Sequence, residues 1–191
     1  MNIKIGILQC DDVSEGLKLE HGNYPVMFSK LFDEGGGGVD LVFFRAMDGE
    51  LPQDVNECDV YMTTGSRHSV NDDLPWIPPL LNFIKLLDIS KKKLVGICFG
   101  HQLIAKSLGG YVTKASQGWG VGVMTHWLFE LPSGVNVEIK SPMSISLVVS
   151  HEDQVVSLPP QAKVLAGSNF CPFYMIQFGE HFFGYSRTSR V

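Results

Sequence analysis

The stretch "VGICFGHQLIAKSLGG", residues 95–110, decides the fold. An apolar, strand-like run leads into it, a helical pattern leaves it, and Cys98 stands at the corner between Gly96 and Gly100. A G-x-nucleophile-x-G step from strand to helix is a nucleophile elbow. The turn is so tight that side chains beside the nucleophile would collide, hence the glycines. In a parallel sheet such a corner lies at the carboxyl end of the strand, where ligands bind. It aims the first N–H groups of the helix at the sulfur's surroundings, which favours a thiolate and stabilises anionic intermediates. The alternative is a small buried cysteine whose glycines serve only the turn.

Working outward, the chain alternates. "IKIGIL" predicts a buried strand, "NYPVMFSKLFDE" a helix with Tyr24, Phe28, Leu31 and Phe32 near one face, and "VDLVFFRA" a second strand. "GGGG" at 35–38 breaks the first helix and has no following GK[ST], so it is a flexible turn and not a phosphate loop. "CDVYMTTGS" predicts a third strand, "IPPLLNFIKLLD" a helix with prolines in its first turn, and "KKKLVGIC" the strand that enters the corner. This order implies an α/β fold, a doubly wound, mostly parallel sheet with helices on its faces. After Gly110, "YVTKAS", "GVGVMTHWLFEL", "SISLVVS", "AKVLAGS", "PFYMIQF" and "HFFGY" predict extra strands, some of them antiparallel. With no linker-like stretch, the 191 residues are expected to form a single domain.

Composition narrows the partners. A net charge of −5 argues against nucleic acid and anionic membranes. No apolar run approaches the roughly 20 residues of a membrane span. The N-terminal "MNIKIGILQCDD" is a short apolar run ended by acid, a strand and not a signal peptide. Four widely spaced cysteines suggest free thiols in a reducing cytoplasm. His21, His68 and His126 have no carboxylate or histidine partner at ligand spacing, so no metal is expected, and no cofactor is implied.

"GICFGHQ", with "MTTGS" before it and "SHEDQV" after it, resembles the class I glutamine amidotransferases, across essentially the whole chain. Stand-alone proteins similar to the amidotransferase domain of GMP synthase are the nearest subgroup. The resemblance implies a flavodoxin-like fold and hydrolysis of the glutamine side-chain amide through a γ-glutamyl thioester. It makes Cys98 the nucleophile and gives the oxyanion the backbone N–H groups of Gly65 and Phe99. Gln102, one helical turn after the nucleophile, would hold the substrate, and Ser150, Glu152 and Asp153 would grip its amino and carboxylate groups. Without the resemblance, Gln102 reads equally as a solvated helix residue and "SHEDQ" as a polar turn.

The base is the difficulty. A thiol attacking an amide needs a histidine and a carboxylate to orient it. The family pattern places His-Pro-Glu after the last strand, but here "HFFGY" continues into "SRTSRV". Thr188 stands where the histidine is expected and Arg190 where the glutamate is, and neither can do the work. "YSRTSRV" can be written in codons that, shifted by one nucleotide, read Ile-Gln-Gly-His-Pro-Glu. The ending is therefore expected to be frameshifted and truncated. His181 in "QFGEH" is expected at a hairpin turn away from the cleft, His101 in a supporting or solvated position, and His151 against the substrate.

Two functional readings follow. One is a glutamine amidotransferase-like chain with little or no glutaminase activity. The other is a non-catalytic module that binds glutamine, a γ-glutamyl compound or a partner protein. As an alternative, a relative with the frame intact is expected to act on γ-glutamyl peptides. An ammonia-accepting synthetase is not identifiable. Loss of a covering segment should expose Phe170, Phe173, Phe178, Phe182 and Phe183 and favour a homodimer.

Overall fold

The computed structural model describes residues 2–135 and 143–186; Thr188 and Arg190 lie outside them. Strand β1 (Ile3–Leu8) leads through helices α1 (Glu15–His21) and α2 (Tyr24–Glu34) to β2 (Val39–Phe44). A 3-10 turn, Ala46–Asp48, precedes β3 (Val60–Thr63). Helix α3 (Ile77–Ile89), β4 (Lys93–Ile97) and α4 (Phe99–Ser107) complete the first half. The second half is all strand: β5 (Tyr111–Lys114), β6 (Gly120–Leu128), β7 (Met143–His151), β8 (Asp153–Ser157), β9 (Ala162–Gly167), β10 (Met175–Phe178) and β11 (Phe182–Tyr185).

Nine strands form one sheet in the order β2-β1-β3-β4-β11-β10-β9-β6-β7, and β5 pairs with β8 separately. The run from β2 to β11 is parallel. From β11 outward every pairing is antiparallel. The continuous apolar run of β1 is explained by burial on both faces. Ile5 and Ile7 pack with Tyr24 and Phe28 of α2, while Leu8 joins the core under α3 and α4. A third core, of Leu128, Val149, Ala166, Cys171 and Tyr174, lies under the antiparallel extension. Gly36, Gly37 and Gly38 all adopt positive φ, so the glycine run is required by its turn.

One helix is added and two expectations are corrected. Helix α1 carries no buried residue, so no apolar stripe announced it. "SHEDQ" is not a loop: β7 ends at His151 and β8 begins at Asp153, leaving only Glu152 between them. The phenylalanines are not the exposed apolar surface. Phe178 and Phe182 are buried because β10 and β11 sit inside the sheet between β9 and β4. Several exposed apolar side chains lie instead on or beside β6, namely Trp119, Val121, Val123, Trp127 and Phe129, with others scattered over the molecule.

Candidate active site

The corner predicted from the glycines is built by steric exclusion. A Cβ on Gly96 would lie 2.6 Å from the carbonyl of Gly100 and from Ile104 Cδ1. One on Gly100 would run into the side chain of Thr63 at the end of β3. β4, α4 and β3 therefore approach to a distance only glycine permits. Cys98 takes up the strain, with φ 53° and ψ −101°, a conformation side-chain-bearing residues rarely adopt. Its N–H donates to the Tyr185 carbonyl at 2.9 Å, which ties the corner to β11, and its carbonyl accepts from the Gln102 N–H at 3.2 Å. Phe99 opens α4, and the first N–H groups of a helix have no intrahelical acceptor.

The loop after β3 is fixed just as tightly. The Thr64 N–H donates to the Leu8 carbonyl at 3.1 Å. The Thr64 hydroxyl donates to the Gly65 carbonyl at 2.9 Å and accepts from the Cys10 N–H at 2.9 Å. Gly65 is thus held in a buried loop beside the corner. The backbone N–H of Arg67 donates to Asp11 at 2.7 Å.

These elements line one cleft of about 230 Å³, and so do the residues carried over from the motifs: Cys98, Phe99, Gln102, Ser150, Glu152 and Asp153. Gly65 immediately precedes the lining residue Ser66. Gln102 is buried, not solvated, and its Nε2 donates to the Asp153 carbonyl at 3.0 Å. Ser69 donates to the Asp153 carboxylate, so the β3 loop and the β7–β8 corner are joined across the cleft. Glu152 pairs with Lys114 at 2.9 Å, and that pairing raises the lysine's pKa. Arg67, Ser69, Lys114 and Trp119 also line the cleft but were missed in the sequence. Only the position of Arg67, two residues after Gly65, could have signalled one of them.

The histidines divide by position. His151 lines the cleft and is 4 % exposed, and its Nε2 lies 3.1 Å from the hydroxyl of Ser186. Burial lowers its pKa, so the ring is neutral near pH 7. His101 is not solvated: it is buried at 1 % exposure against Gly184, and burial pushes its pKa down to about 3. His126 stacks on Tyr174 at 3.5 Å and burial brings its pKa to about 4. His181 is in the turn before β11, with Nε2 2.7 Å from Asp88 of α3, and it lines a different cavity. His21 and His68 do have single carboxylate neighbours, Glu20 at 3.9 Å and Asp72 at 3.6 Å, which corrects their reading as unpartnered. Among the described residues no three His, Cys, Asp or Glu side chains converge as a metal set would.

Burial alone would raise the pKa of Asp11. Hydrogen bonds from the Arg67 side chain and backbone and from the Asp12 N–H, with the guanidinium charge, outweigh it and hold the carboxyl below its ordinary value.

A strained elbow cysteine at the carboxyl edge of a doubly wound sheet, facing a polar cleft, defines the class: an α/β protein organised around a glycine-flanked cysteine corner. The chain belongs to the class-I glutamine amidotransferase family, whose model matches residues 65–185. It is 36% identical over 179 residues to gamma-glutamyl peptidase 3 of Arabidopsis thaliana, covering 91% of this chain and 70% of that protein. It is 38% identical over 91 residues to a glutamine-hydrolyzing GMP synthase component of Archaeoglobus fulgidus, covering 47% of this chain and 45% of that one. Its fold matches a glutamine amidotransferase from Thermotoga maritima with a TM-score of 0.75 at 18% identity, covering 97% of this chain and 75% of the other.

Proposed function

We propose that the cleft binds a γ-glutamyl compound, glutamine or a γ-glutamyl peptide, and that Cys98 is positioned to attack its side-chain amide. The single observation that carries this is Cys98, held at φ 53°, in one cleft with Gln102, Glu152 and Asp153. In the reaction this geometry supports, the sulfur adds to the amide carbon. The Gly65 and Phe99 N–H groups receive the charge that develops on oxygen. Collapse of the adduct breaks the C–N bond, and the amine leaves with a proton. Water then cleaves the γ-glutamyl thioester and restores the thiol. The whole described chain would act as one domain in this scheme.

The proton acceptor is the weak part. Thr188 and Arg190 stand at the places of the motif's histidine and glutamate, so turnover is slow or absent in this chain while binding persists. The relatives named gamma-glutamyl peptidase favour a peptide amide over free glutamine as the bond cleaved. The test is release of ammonia from glutamine and of glycine from γ-glutamylglycine, by the parent and by the Thr188→His/Arg190→Glu variant. The expected result is near-background turnover in the parent and an increase of at least about a hundredfold in the variant, the usual scale of general acid–base catalysis. Efficient turnover by the parent, abolished in neither arm by the tail substitutions, would remove the claimed defect.

A further inference from the structure

Among the described residues lining the cleft, Arg67 is a cation held in one orientation with an edge left uncommitted. Lys114 is engaged by Glu152 at 2.9 Å, and His68 lies 3.6 Å from Asp72. Arg67 is gripped along one side only. Its Nε donates to both Asp11 oxygens at 3.0 and 2.9 Å, and its Nη2 donates to Asp11 at 2.7 Å and to the Asp12 carbonyl at 3.3 Å. The third nitrogen, Nη1, makes no hydrogen bond among the described residues. The clamp is buried, with the Asp11 side chain 7 % exposed, while the Arg67 side chain it holds is 55 % exposed and lines the cleft. A guanidinium oriented beforehand by a dedicated carboxylate loses little freedom when its remaining edge takes a ligand.

Glu152, paired with Lys114, and Asp153 also line the cleft, and the Ser69–Asp153 hydrogen bond ties the Asp153 carboxylate to the loop that carries Arg67. Carboxylates suit an ammonium group and repel another carboxylate. A γ-glutamyl compound carries both an α-ammonium and an α-carboxylate. With the Asp153 carboxylate suited to the first, the second needs a cation among the lining groups.

Resting on the γ-glutamyl reading of the cleft, we propose that Arg67, clamped by the buried Asp11, is the group that binds a carboxylate of the substrate. That carboxylate has two sources, the α-carboxylate of the glutamyl unit and the carboxylate of an amino acid released from it. Because Asp11 neutralises Arg67 at a distance, recognition comes from the directed N–H groups and not from a long-range field.

Calorimetry with four probes separates the outcomes: glutamine, its α-amide, γ-glutamylglycine and γ-glutamylglycinamide. Arg67→Met is expected to weaken carboxylate-bearing probes by about tenfold to a hundredfold. A loss for glutamine but not for its α-amide assigns Arg67 to the α-carboxylate. A loss for γ-glutamylglycine alone assigns it to the released amino acid. The Asp11→Asn/Arg67→Met double variant, which leaves no buried charge stranded, should show the same loss. It keeps the test open should Arg67→Met unfold. Arg67→Lys, which keeps the charge without the fork, should recover only part of the affinity. Unchanged affinity for every probe in folded variants, with the parent still binding glutamine, overturns this inference and spares the γ-glutamyl reading. No binding of any probe by the parent overturns both.

Discussion

The parallel half of the sheet and its antiparallel extension meet at Cys98, and they build their sides of the cleft differently. On the parallel side the corner itself is close in sequence, while the loop after β3 is held from 54 to 56 residues away. The corner is made within residues 96–102, and the loop at 64–67 is fixed by hydrogen bonds to the ends of β1 and the residues just beyond it. On the antiparallel side each group arrives by a long return. Asp153 reaches Gln102 across 51 residues and Ser69 across 84, and β11 pairs with β4 only after seven intervening strands and helices have been laid down. The turn at Cys98 is thus drawn by its neighbouring glycines, although its N–H is tied to the Tyr185 carbonyl of β11, far along the chain. The proton acceptor that we propose to be missing belongs to this distant set.

The sharpest way to break this contrast is to ask whether the corner is chemically competent alone. A glutamine analogue bearing an electrophile should label the folded parent at one thiol, and Cys98→Ala should abolish the labelling. Cys10 and Cys171 will not substitute, because burial raises the pKa of both thiols, that of Cys171 to about 12. Peptide mapping that finds the label elsewhere, or none at all, would mean that the strained geometry does not present the sulfur to the cleft.

The second test separates the glycine that makes the corner from one that does not. Gly100→Ala forces a methyl into Thr63 where strand and helix are pinned, and it should cost about 1–3 kcal/mol, the usual range of overpacked core sites. Gly16→Ala, in α1, meets nothing within 4 Å and lies outside the positive-φ set. It should stabilise by about 0.5–1 kcal/mol through better helix propensity and a less free unfolded chain. Equal melting temperatures for the two variants would show that the corner is not under the steric control described.

The same division explains what was legible in the sequence. Strands buried on both faces, the apolar stripes of α2 and α3, and the glycines around Cys98 carry periodic or steric signatures that can be read without coordinates. Helix α1 could not be read, because none of its residues is buried. The single-residue corner at Glu152 could not be read either, because a polar run looks alike as a loop or as a strand changing sheets. The Asp11–Arg67 pair joins residues 56 apart, and no local pattern announces it. The carried-over cleft residues were legible only through the resemblance; their spacing alone left Gln102 and "SHEDQ" open to plainer readings.

The smallest effect concerns the histidines that pack where the two halves meet. Burial holds the His101 pKa at about 3, against an ordinary 6.5. The folded state therefore refuses a proton that the unfolded chain accepts. Stability from this source is complete above about pH 6.5 and is lost progressively as the pH falls toward 3. His126, lowered by burial to about 4, and His151, also lowered by burial, act in the same direction below pH 6.5. Asp11, whose carboxyl is held below its ordinary 3.8, loses its contribution only at lower pH. From pH 7 to pH 5 the melting temperature should therefore fall because of histidines and not carboxylates. His101→Gln, neutral throughout, should remove part of that fall, about 1–2 kcal/mol of the difference between pH 6.5 and pH 5. The remaining slope belongs to the other two rings. A parent whose melting temperature is flat from pH 7 to 5, or a variant with the parent's full slope, would mean that His101 is hydrated and that the junction of the two halves is looser than its packing against Gly184 implies.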